Sequence, residues 1–263
     1  MGKYFTAYKN SLSSFFQYRL NLGLLLISHI VSLSGLLYLW IAVYAGGQTI
    51  GSYTLTGIAT YYLILTVLKT TIANGVGMGF QVVDNINEGV ITNNLLKPFS
   101  YPLEQFVHLL GEGTINTLFI TPIVLLAAFF ARHIIALPSL EHFLLFLLMS
   151  VMGLLFYFLF YFLVSLSSFW VTHGGNFIYG MIIVSSFLNG SMLPLDLFPE
   201  WYLRINVYLP FQYLIFLPIQ AYLGRIQDIG QTLLIGGIWL AIFIAAVWGV
   251  WRLGIKKYEA VGK

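Results

Sequence analysis

Two long uncharged segments constrain what this chain can fold into. No Asp, Glu, Lys or Arg occurs in the 49 residues between Arg19 and Lys69, nor in the 54 residues from His142 to Leu195. A helix that crosses a bilayer needs about 20 mostly apolar residues. Since 59% of all residues are hydrophobic and 8% are charged, the sequence predicts an integral membrane protein.

Turn-forming and charged residues divide the chain into six predicted spans within one transmembrane domain, residues 1–263. The spans are about Leu20–Tyr44, Tyr53–Phe80, the interval between Glu112 and Arg132, Phe143–Phe169, Phe177–Leu193, and the interval between Asp228 and Arg252. The predicted fold class is therefore all-α, a polytopic membrane protein.

Residues 1–19 precede the first span, and their apolar members recur at helical spacing between basic and polar ones. This pattern predicts an amphipathic helix that lies in the lipid headgroup layer. The alternative is a frayed extension of the first span.

The charge distribution predicts the orientation. An even number of spans places both termini on one side, together with eight basic residues: Lys3, Lys9, Arg19, Lys97, Arg252, Lys256, Lys257 and Lys263. Three others, Arg132, Arg204 and Arg225, fall on the opposite side. The positive-inside bias then places both termini in the cytoplasm, residues 81–112 in a cytoplasmic loop and residues 194–228 outside.

The predicted outer segment, residues 194–228, is apolar yet contains four of the eight prolines: Pro194, Pro199, Pro210 and Pro218. Proline breaks helix interiors, so a single straight span is not expected here. We predict a re-entrant hairpin of two short helices between spans five and six, with one helix opening at Pro199. The spacing of Glu200 and Arg204 favours a helical ion pair.

Few residues offer chemistry. The chain has no cysteine and none of the common hydrolase, metalloprotease or phosphate-binding motifs. No carboxylate lies in a predicted span, whereas proton-coupled carriers generally need one there. Lys69, inside the second span, is either a gate or anionic-substrate contact, or a lysine that snorkels to the interface. Glu104, His108 and Glu112 favour a solvated helix over a metal site.

Three features together resemble the permease subunit of type-2 (ABC-2-like) ABC exporters. They are the six spans with an N-terminal amphipathic helix, the inner sequence from Asn87 to Tyr101, which contains Gly89 and Leu95-Leu96-Lys97-Pro98, and the outer sequence from Asn189 to Trp201 followed by Leu209-Pro210-Phe211. The inner sequence is similar to a Gly-x5-Leu-Leu-(Arg/Lys)-Pro loop of one branch of these permeases.

The resemblance implies positions for functional residues. A coupling segment that receives motion from an ATPase maps to about Asp84–Pro98, with Asp84, Glu88, Gly89, Asn93, Lys97 and Pro98 as candidates. The re-entrant helices that cap the exit map to about Leu195–Ile219, and Pro194, Pro199, Trp201 and Pro210 mark this outer segment. Lys69, Tyr61 and Tyr62 are candidates for lining a translocation path.

The sequence thus predicts a non-enzymatic permease subunit of an ATP-driven exporter for amphipathic, lipid-like, drug-like or polymeric substrates, in a prokaryotic cell membrane. Two separate ATPase subunits, which hold ATP and magnesium, and a second identical or paralogous permease chain are the expected partners besides membrane lipids. No cofactor, metal or nucleic acid is expected on this chain. The alternatives are a secondary carrier or channel, or an intramembrane lipid-modifying enzyme.

Overall fold

The computed structural model describes residues 6, 8–9, 19–46, 50–72, 74–95, 100–130, 133 and 135–258. Regular structure in these residues is helical, apart from an isolated bridge between Ile50 and Tyr53. The longer helices are α1 (Arg19–Tyr44), α2 (Leu55–Thr71), α3 (Gly75–Asn87), α5 (Tyr101–Phe130), α6 (Leu140–Ser165), α7 (Gly174–Leu188) and α10 (Ile229–Lys257). The shorter ones are α4 (Ile91–Leu95), α8 (Glu200–Asn206) and α9 (Phe216–Tyr222).

The predicted all-α, polytopic class is confirmed. Among the described residues, three helical stretches are long and apolar enough to cross a membrane: Leu55–Asn87, Leu140–Phe169 and Ile229–Lys257. Shorter apolar helices cover Ile30–Tyr44 and Gly174–Leu188. Each of the six predicted spans coincides with at least one helix, and the number of membrane crossings remains a prediction.

The second predicted span differs from the observed helices, because α2 ends at Thr71 and α3 begins at Gly75. Asn74, the residue before α3, makes no capping hydrogen bond with its side chain. Asn and Gly are weak helix formers, and α3 opens with three alternating glycines, so a continuous helix is disfavoured at this point.

The predicted inner loop, residues 81–112, is largely helical. Helix α3 continues to Asn87, α4 follows at Ile91–Leu95, and α5 begins at Tyr101. Glu104, His108 and Glu112 therefore lie on a helix that leads into the third predicted span, as the sequence predicted. Its 30 residues make α5 about 45 Å long, which exceeds the roughly 30 Å thickness of a bilayer core. The first turns of α5, with Glu104, therefore belong outside the hydrocarbon region.

The connections gather at two ends of the bundle, as alternating spans require. At one end, Asn87 on α3 contacts Thr172 in the α6–α7 connection, and Thr92 on α4 contacts Tyr258 after α10. At the other end, Tyr61 on α2 contacts Gly190 after α7. We call the first the inner end and the second the outer end, following the predicted orientation.

Helix α6 forms the centre of the core. Residues 156–162 are all buried, which is expected of a helix that other helices surround on every side. The 3-10 turn Leu166–Phe169 continues α6 at its inner end. The N-terminus of α6 is capped by Ser139, whose hydroxyl accepts a hydrogen bond from the His142 amide at 3.3 Å.

The outer segment contains two short helices, as predicted, and α8 opens at Pro199. The predicted ion pair is present, with 3.1 Å between Arg204 Nη2 and Glu200 Oε2, but both side chains are about four-fifths exposed. Such an exposed pair contributes little to stability. Helix α9 is enclosed by the protein instead, since all residues from Leu217 to Ala221 are buried.

The predicted N-terminal amphipathic helix lies mostly outside the described residues. Thr6, Tyr8 and Lys9 are helical, and the Tyr8 hydroxyl donates a hydrogen bond to Thr114 Oγ1 on α5 at 3.0 Å. These residues are therefore placed beside α5.

Candidate functional site

The predicted coupling segment forms a corner between α3 and α4. Helix α3 ends with the amide of Glu88 donating to the Asp84 carbonyl at 2.8 Å. Gly89 then adopts φ +79°, a left-handed conformation that glycine reaches without a steric penalty. The chain thereby turns, and α4 begins two residues later. We call residues 84–95 the inner corner.

The inner corner has an apolar side that is buried and a polar side that is exposed. Ile86 and Ile91 lie in the core, with exposures of 5% and 0%. The side chains of Asp84, Glu88 and Asn93 are exposed, and all three were predicted to contact an ATPase. The predicted residues Lys97 and Pro98 lie outside the described residues.

Side-chain contacts join the inner corner to three other parts of the bundle. Asn85 Nδ2 donates to the Tyr101 hydroxyl on α5 at 2.9 Å, and Asn87 Nδ2 donates to the Thr172 carbonyl at 3.0 Å. The hydroxyls of Thr92 and Tyr258 are 3.2 Å apart. A displacement of this corner therefore acts on α5, on the α6–α7 connection and on the end of α10.

Tyr101 links the inner corner to α10 as well. Its ring stacks on Trp251 with 5.4 Å between ring centroids and 7° between ring planes, and the side chain is buried. Sequence reasoning assigned no role to Asn85, Tyr101 or Tyr258. Tyr101 stands three residues after the Leu-Leu-Lys-Pro sequence, which was an available signal for it, whereas its partner Trp251 is distant in sequence.

Two glycines hold α3 against the central helix α6. A Cβ atom on Gly75 would lie 3.0 Å from the Tyr157 carbonyl oxygen, and one on Gly79 would lie 3.4 Å from the Tyr161 carbonyl oxygen. A Cβ atom on Gly77 would have no neighbour within 4 Å. The first and third of the alternating glycines thus permit close helix packing, whereas the second does not contribute to it.

Tyr61 and Tyr62, which were candidates for a translocation path, fix the outer sequence to α2. The Tyr61 hydroxyl donates to the Gly190 carbonyl at 2.6 Å, and the Tyr62 hydroxyl donates to the Met192 carbonyl at 3.1 Å. Both rings are buried within the chain. Lys69 is exposed in the last turn of α2, two helical turns from Tyr62, so the three candidates do not form one cluster.

The outer sequence is also held by its own polar residues. Asn189 Oδ1 accepts a hydrogen bond from the Ser191 amide at 2.8 Å, and Asn206 Nδ2 on α8 donates to the Leu188 carbonyl at 3.0 Å. Both asparagines are buried. These bonds satisfy backbone groups that the end of α7 would otherwise leave unpaired.

The predicted outer residues differ in their surroundings. Pro194 and Pro210 are buried, and Pro210 opens a 3-10 turn that ends at Tyr213. Pro199 is exposed at the start of α8, and Trp201 on the same helix is 65% exposed. The Trp201 side chain on α8 therefore points away from the protein, whereas Pro194 and Pro210 are buried inside the protein.

A polar cluster at the outer end was missed by sequence reasoning. The Arg225 guanidinium lies 4.2 Å from the ring centroid of Tyr53 and donates to Ser52, and its Nη1 is 3.9 Å from Asp196 Oδ2. Gln220 Nε2 donates to the Tyr53 hydroxyl at 2.8 Å. These residues come from three separate segments, so no local pattern announces them.

The cluster borders a cleft of about 950 Å³ between the outer segment and the start of α10. Burial raises the pKa of Asp196 above its ordinary value, and hydrogen bonding to Tyr53 and the charge of Arg225 offset this only in part. The neighbours of Asp196 thus offset only part of the free-energy cost of burying its negative charge.

A family model described as ABC-2 family transporter protein matches residues 30–262, which is most of the chain and includes both the inner corner and the outer sequence. No curated protein and no solved structure matches the chain.

Proposed function

This chain belongs to the ABC-2 family of transporter proteins, and we propose that it is the membrane subunit of an exporter that two separate ATPase subunits drive. The family makes it a multi-pass permease component of an ABC transporter that associates with ABC ATPases, not a member of a catalytic family. Outward transport of an amphipathic, lipid-like, drug-like or polymeric substrate is the proposed activity.

The observation that best supports the proposal is the inner corner. It exposes Asp84, Glu88 and Asn93 to a partner, and its buried side is joined to α5, α10 and the α6–α7 connection. An ATPase that closes on ATP and magnesium would displace the corner, and these contacts would pass the displacement to the helices. No covalent chemistry on this chain is required.

The break between α2, which ends at Thr71, and α3, which begins at Gly75, would give this motion a pivot. The outer half of α2 is fixed to the outer sequence by Tyr61 and Tyr62, whereas α3 is packed on α6 through Gly75 and Gly79. A tilt of α3 relative to α2 would thus change the inner end before the outer end. Such a two-state rearrangement, biased by nucleotide, is the mechanism we propose.

A second permease chain, identical or paralogous, is also proposed. Helix α7 buries only Gly174, Ile178 and Ser185, and its remaining surface exposes apolar side chains such as Phe177 and Ile183. Helix packing through small residues such as Gly180, which has open space beside it, would suit a second chain. We place the complex in a prokaryotic cell membrane with both termini in the cytoplasm.

The proposal is tested by purifying the tagged chain from membranes and identifying the ATPase that accompanies it. Reconstituted with that ATPase, the chain should move a fluorescent amphiphile in the outward direction only when ATP and magnesium are supplied. The chain alone should be inactive. Full-rate transport by the chain alone, driven by an ion gradient, would instead establish the secondary carrier.

The proposed re-entrant position of the outer segment has its own test. The chain has no native cysteine, so single cysteines can be introduced at chosen positions. Trp201 and Tyr208 are suitable because the protein leaves 65% and 73% of their surface uncovered. If lipid covers them, a membrane-impermeant thiol reagent should label both poorly in intact cells. A cysteine at Leu137, 85% exposed in the connection before α6, is the control and should label readily.

If Trp201→Cys and Tyr208→Cys are labelled as fast as Leu137→Cys, the outer segment is an ordinary surface loop and not a re-entrant hairpin. Phe198 and Tyr213 are less informative positions, because the protein itself covers them in part or fully.

A further inference from the structure

We propose that a groove between α5, α6 and α10 at the inner end binds an anionic phospholipid, with an acyl chain in the groove and the phosphate at Arg252. Apart from Trp251, which also stacks on Tyr101, the groove is lined by residues that the proposed transport mechanism does not use, and its occupancy can be measured without an ATPase. A failure of either proposal therefore leaves the other standing.

The groove has a volume of about 660 Å³ and is almost wholly apolar. Phe106 lines it from α5, Phe158 from α6, and Ile244 from α10. Ser100 and Arg252 are the polar residues among those that line it. In a bilayer, an apolar groove of this kind is filled most favourably by hydrocarbon.

The length of the groove suits one leaflet. Its lining on α10 runs from Leu240 to Arg252, positions that lie 12 residues apart and therefore about 18 Å apart along a helix. One leaflet contributes about half of the roughly 30 Å hydrocarbon core. The groove therefore extends from the headgroup level to about the middle of the membrane.

Arg252 supplies a cation at the headgroup end. Its guanidinium lies 3.7 Å from the ring centroid of Trp248, and within the described part of the chain it has no carboxylate partner. Stacking on an aromatic face leaves the N–H donors at the edge of the guanidinium available, in a fork that matches a phosphate.

The surroundings of Arg252 favour an anionic rather than a zwitterionic lipid. Among the residues that the structure describes, no Asp or Glu lines the groove, and Lys256 is exposed one helical turn further along α10. Trp248 is 58% exposed, as is typical of tryptophan at a membrane interface. Each basic residue near an anionic surface contributes roughly 1 kcal/mol, which corresponds to about a fivefold gain in affinity.

Native mass spectrometry of the purified full chain tests the proposal. The affinity for the first bound lipid is measured with phosphatidylglycerol and with phosphatidylcholine of identical acyl chains. The wild type should prefer phosphatidylglycerol by about fivefold. Arg252→Gln should remove most of this preference, since only Lys256 then remains nearby, and Arg252→Lys should retain most of it. Arg204→Gln, which removes an exposed arginine of the outer segment, should leave it unchanged.

The acyl-chain half of the proposal needs a second pair of variants. Leu103 lines the groove on α5 and is 52% exposed, so Leu103→Trp should fill it and weaken both lipids about equally. Leu253, 61% exposed on α10 but outside the groove, is the matched position, and Leu253→Trp should bind as the wild type does. Equal affinity of the wild type for both lipids, an unchanged preference in Arg252→Gln, or unchanged binding in Leu103→Trp would overturn the proposal.

Discussion

The two ends of this helix bundle are held together differently. At the inner end, hydrogen bonds between side chains join a corner whose polar surface remains exposed, as Asp84 and Asn93 illustrate. At the outer end, buried hydroxyls of α2 bind the backbone of the outer sequence directly. This difference suits the proposed mechanism, in which an ATPase displaces the inner end while the outer sequence stays attached to α2.

The largest effect is expected at the inner corner. Gly89→Pro replaces a residue at φ +79° with one whose ring fixes φ near −65°, so the corner cannot keep its shape. We expect ATP-driven transport to fall more than about tenfold, while membrane insertion and ATP hydrolysis by the partner persist.

This expectation is checked by measuring transport and ATP hydrolysis in the same reconstituted complex. Gly89→Asn is the control, because asparagine tolerates the left-handed region better than other non-glycine residues. Wild-type transport in Gly89→Pro would remove the coupling role of the corner.

A smaller effect is expected where α3 packs on α6. Gly75→Val places atoms against the Tyr157 carbonyl, and such overpacking costs about 1–3 kcal/mol of the free energy of unfolding. Gly77→Val adds the same side chain to the same helix but meets open space. Unfolding in mixed micelles should separate the two variants, and equal losses would show that helix propensity, not packing, explains the glycines.

At the outer end, Tyr61→Phe removes the hydroxyl that binds the buried Gly190 carbonyl. Leaving this acceptor unpaired should lower the free energy of unfolding by about 1–2 kcal/mol. Tyr62→Phe removes a longer bond, 3.1 Å instead of 2.6 Å, at a partly buried site, and should cost less. The two variants are compared by the same micellar unfolding; a larger loss in Tyr62→Phe would contradict this ranking.

The smallest effect concerns pH. Burial raises the pKa of Asp196, so the folded chain binds its proton more tightly than the unfolded chain does. Deprotonation of Asp196 therefore lowers the free energy of unfolding as pH rises from the ordinary aspartate pKa through the raised pKa of the folded chain. Asp196→Asn should be equal to or more stable than the wild type at pH 7, by less than about 1 kcal/mol, and this advantage should vanish below pH 4.

Thermal unfolding of the two proteins between about pH 3 and pH 7 provides the measurement. A clear loss of stability in Asp196→Asn at pH 7 would mean that the ion pair with Arg225 outweighs the burial of the carboxylate.

Sequence reasoning located the helices well, because lipid imposes a simple rule on composition and length. It placed α1, α6, α7 and α10 to within a few residues, and it anticipated the helix at Pro199 and the ion pair of Glu200 with Arg204. It did not predict the break after Thr71, and although it placed Glu104, His108 and Glu112 on a helix that leads into the third span, it gave no starting residue for that helix. Apolar and polar stretches there both form helices, so hydropathy alone does not mark the ends.

The candidate site was predictable only as segments. The sequence singled out the inner sequence around Gly89 and the outer sequence around Gly190, and both glycines have φ +79°. It did not indicate which residues contact these segments. Asn85 meets Tyr101 from 16 residues away, whereas Tyr61 meets Gly190 from 129 residues away, and such pairs leave no periodic trace in a single chain.

By itself, the sequence determined that this chain is an all-helical membrane protein, because uncharged segments of about 50 residues have no stable place in water. It also determined where the chain must turn, because glycine widens the range of backbone dihedral angles and proline restricts it. Only the tertiary structure decided which turns meet, which glycines pack and which tyrosines brace the outer sequence. Those outcomes depend on helices that are far apart in the chain lying side by side, and the packing of all of them together selects the pairs.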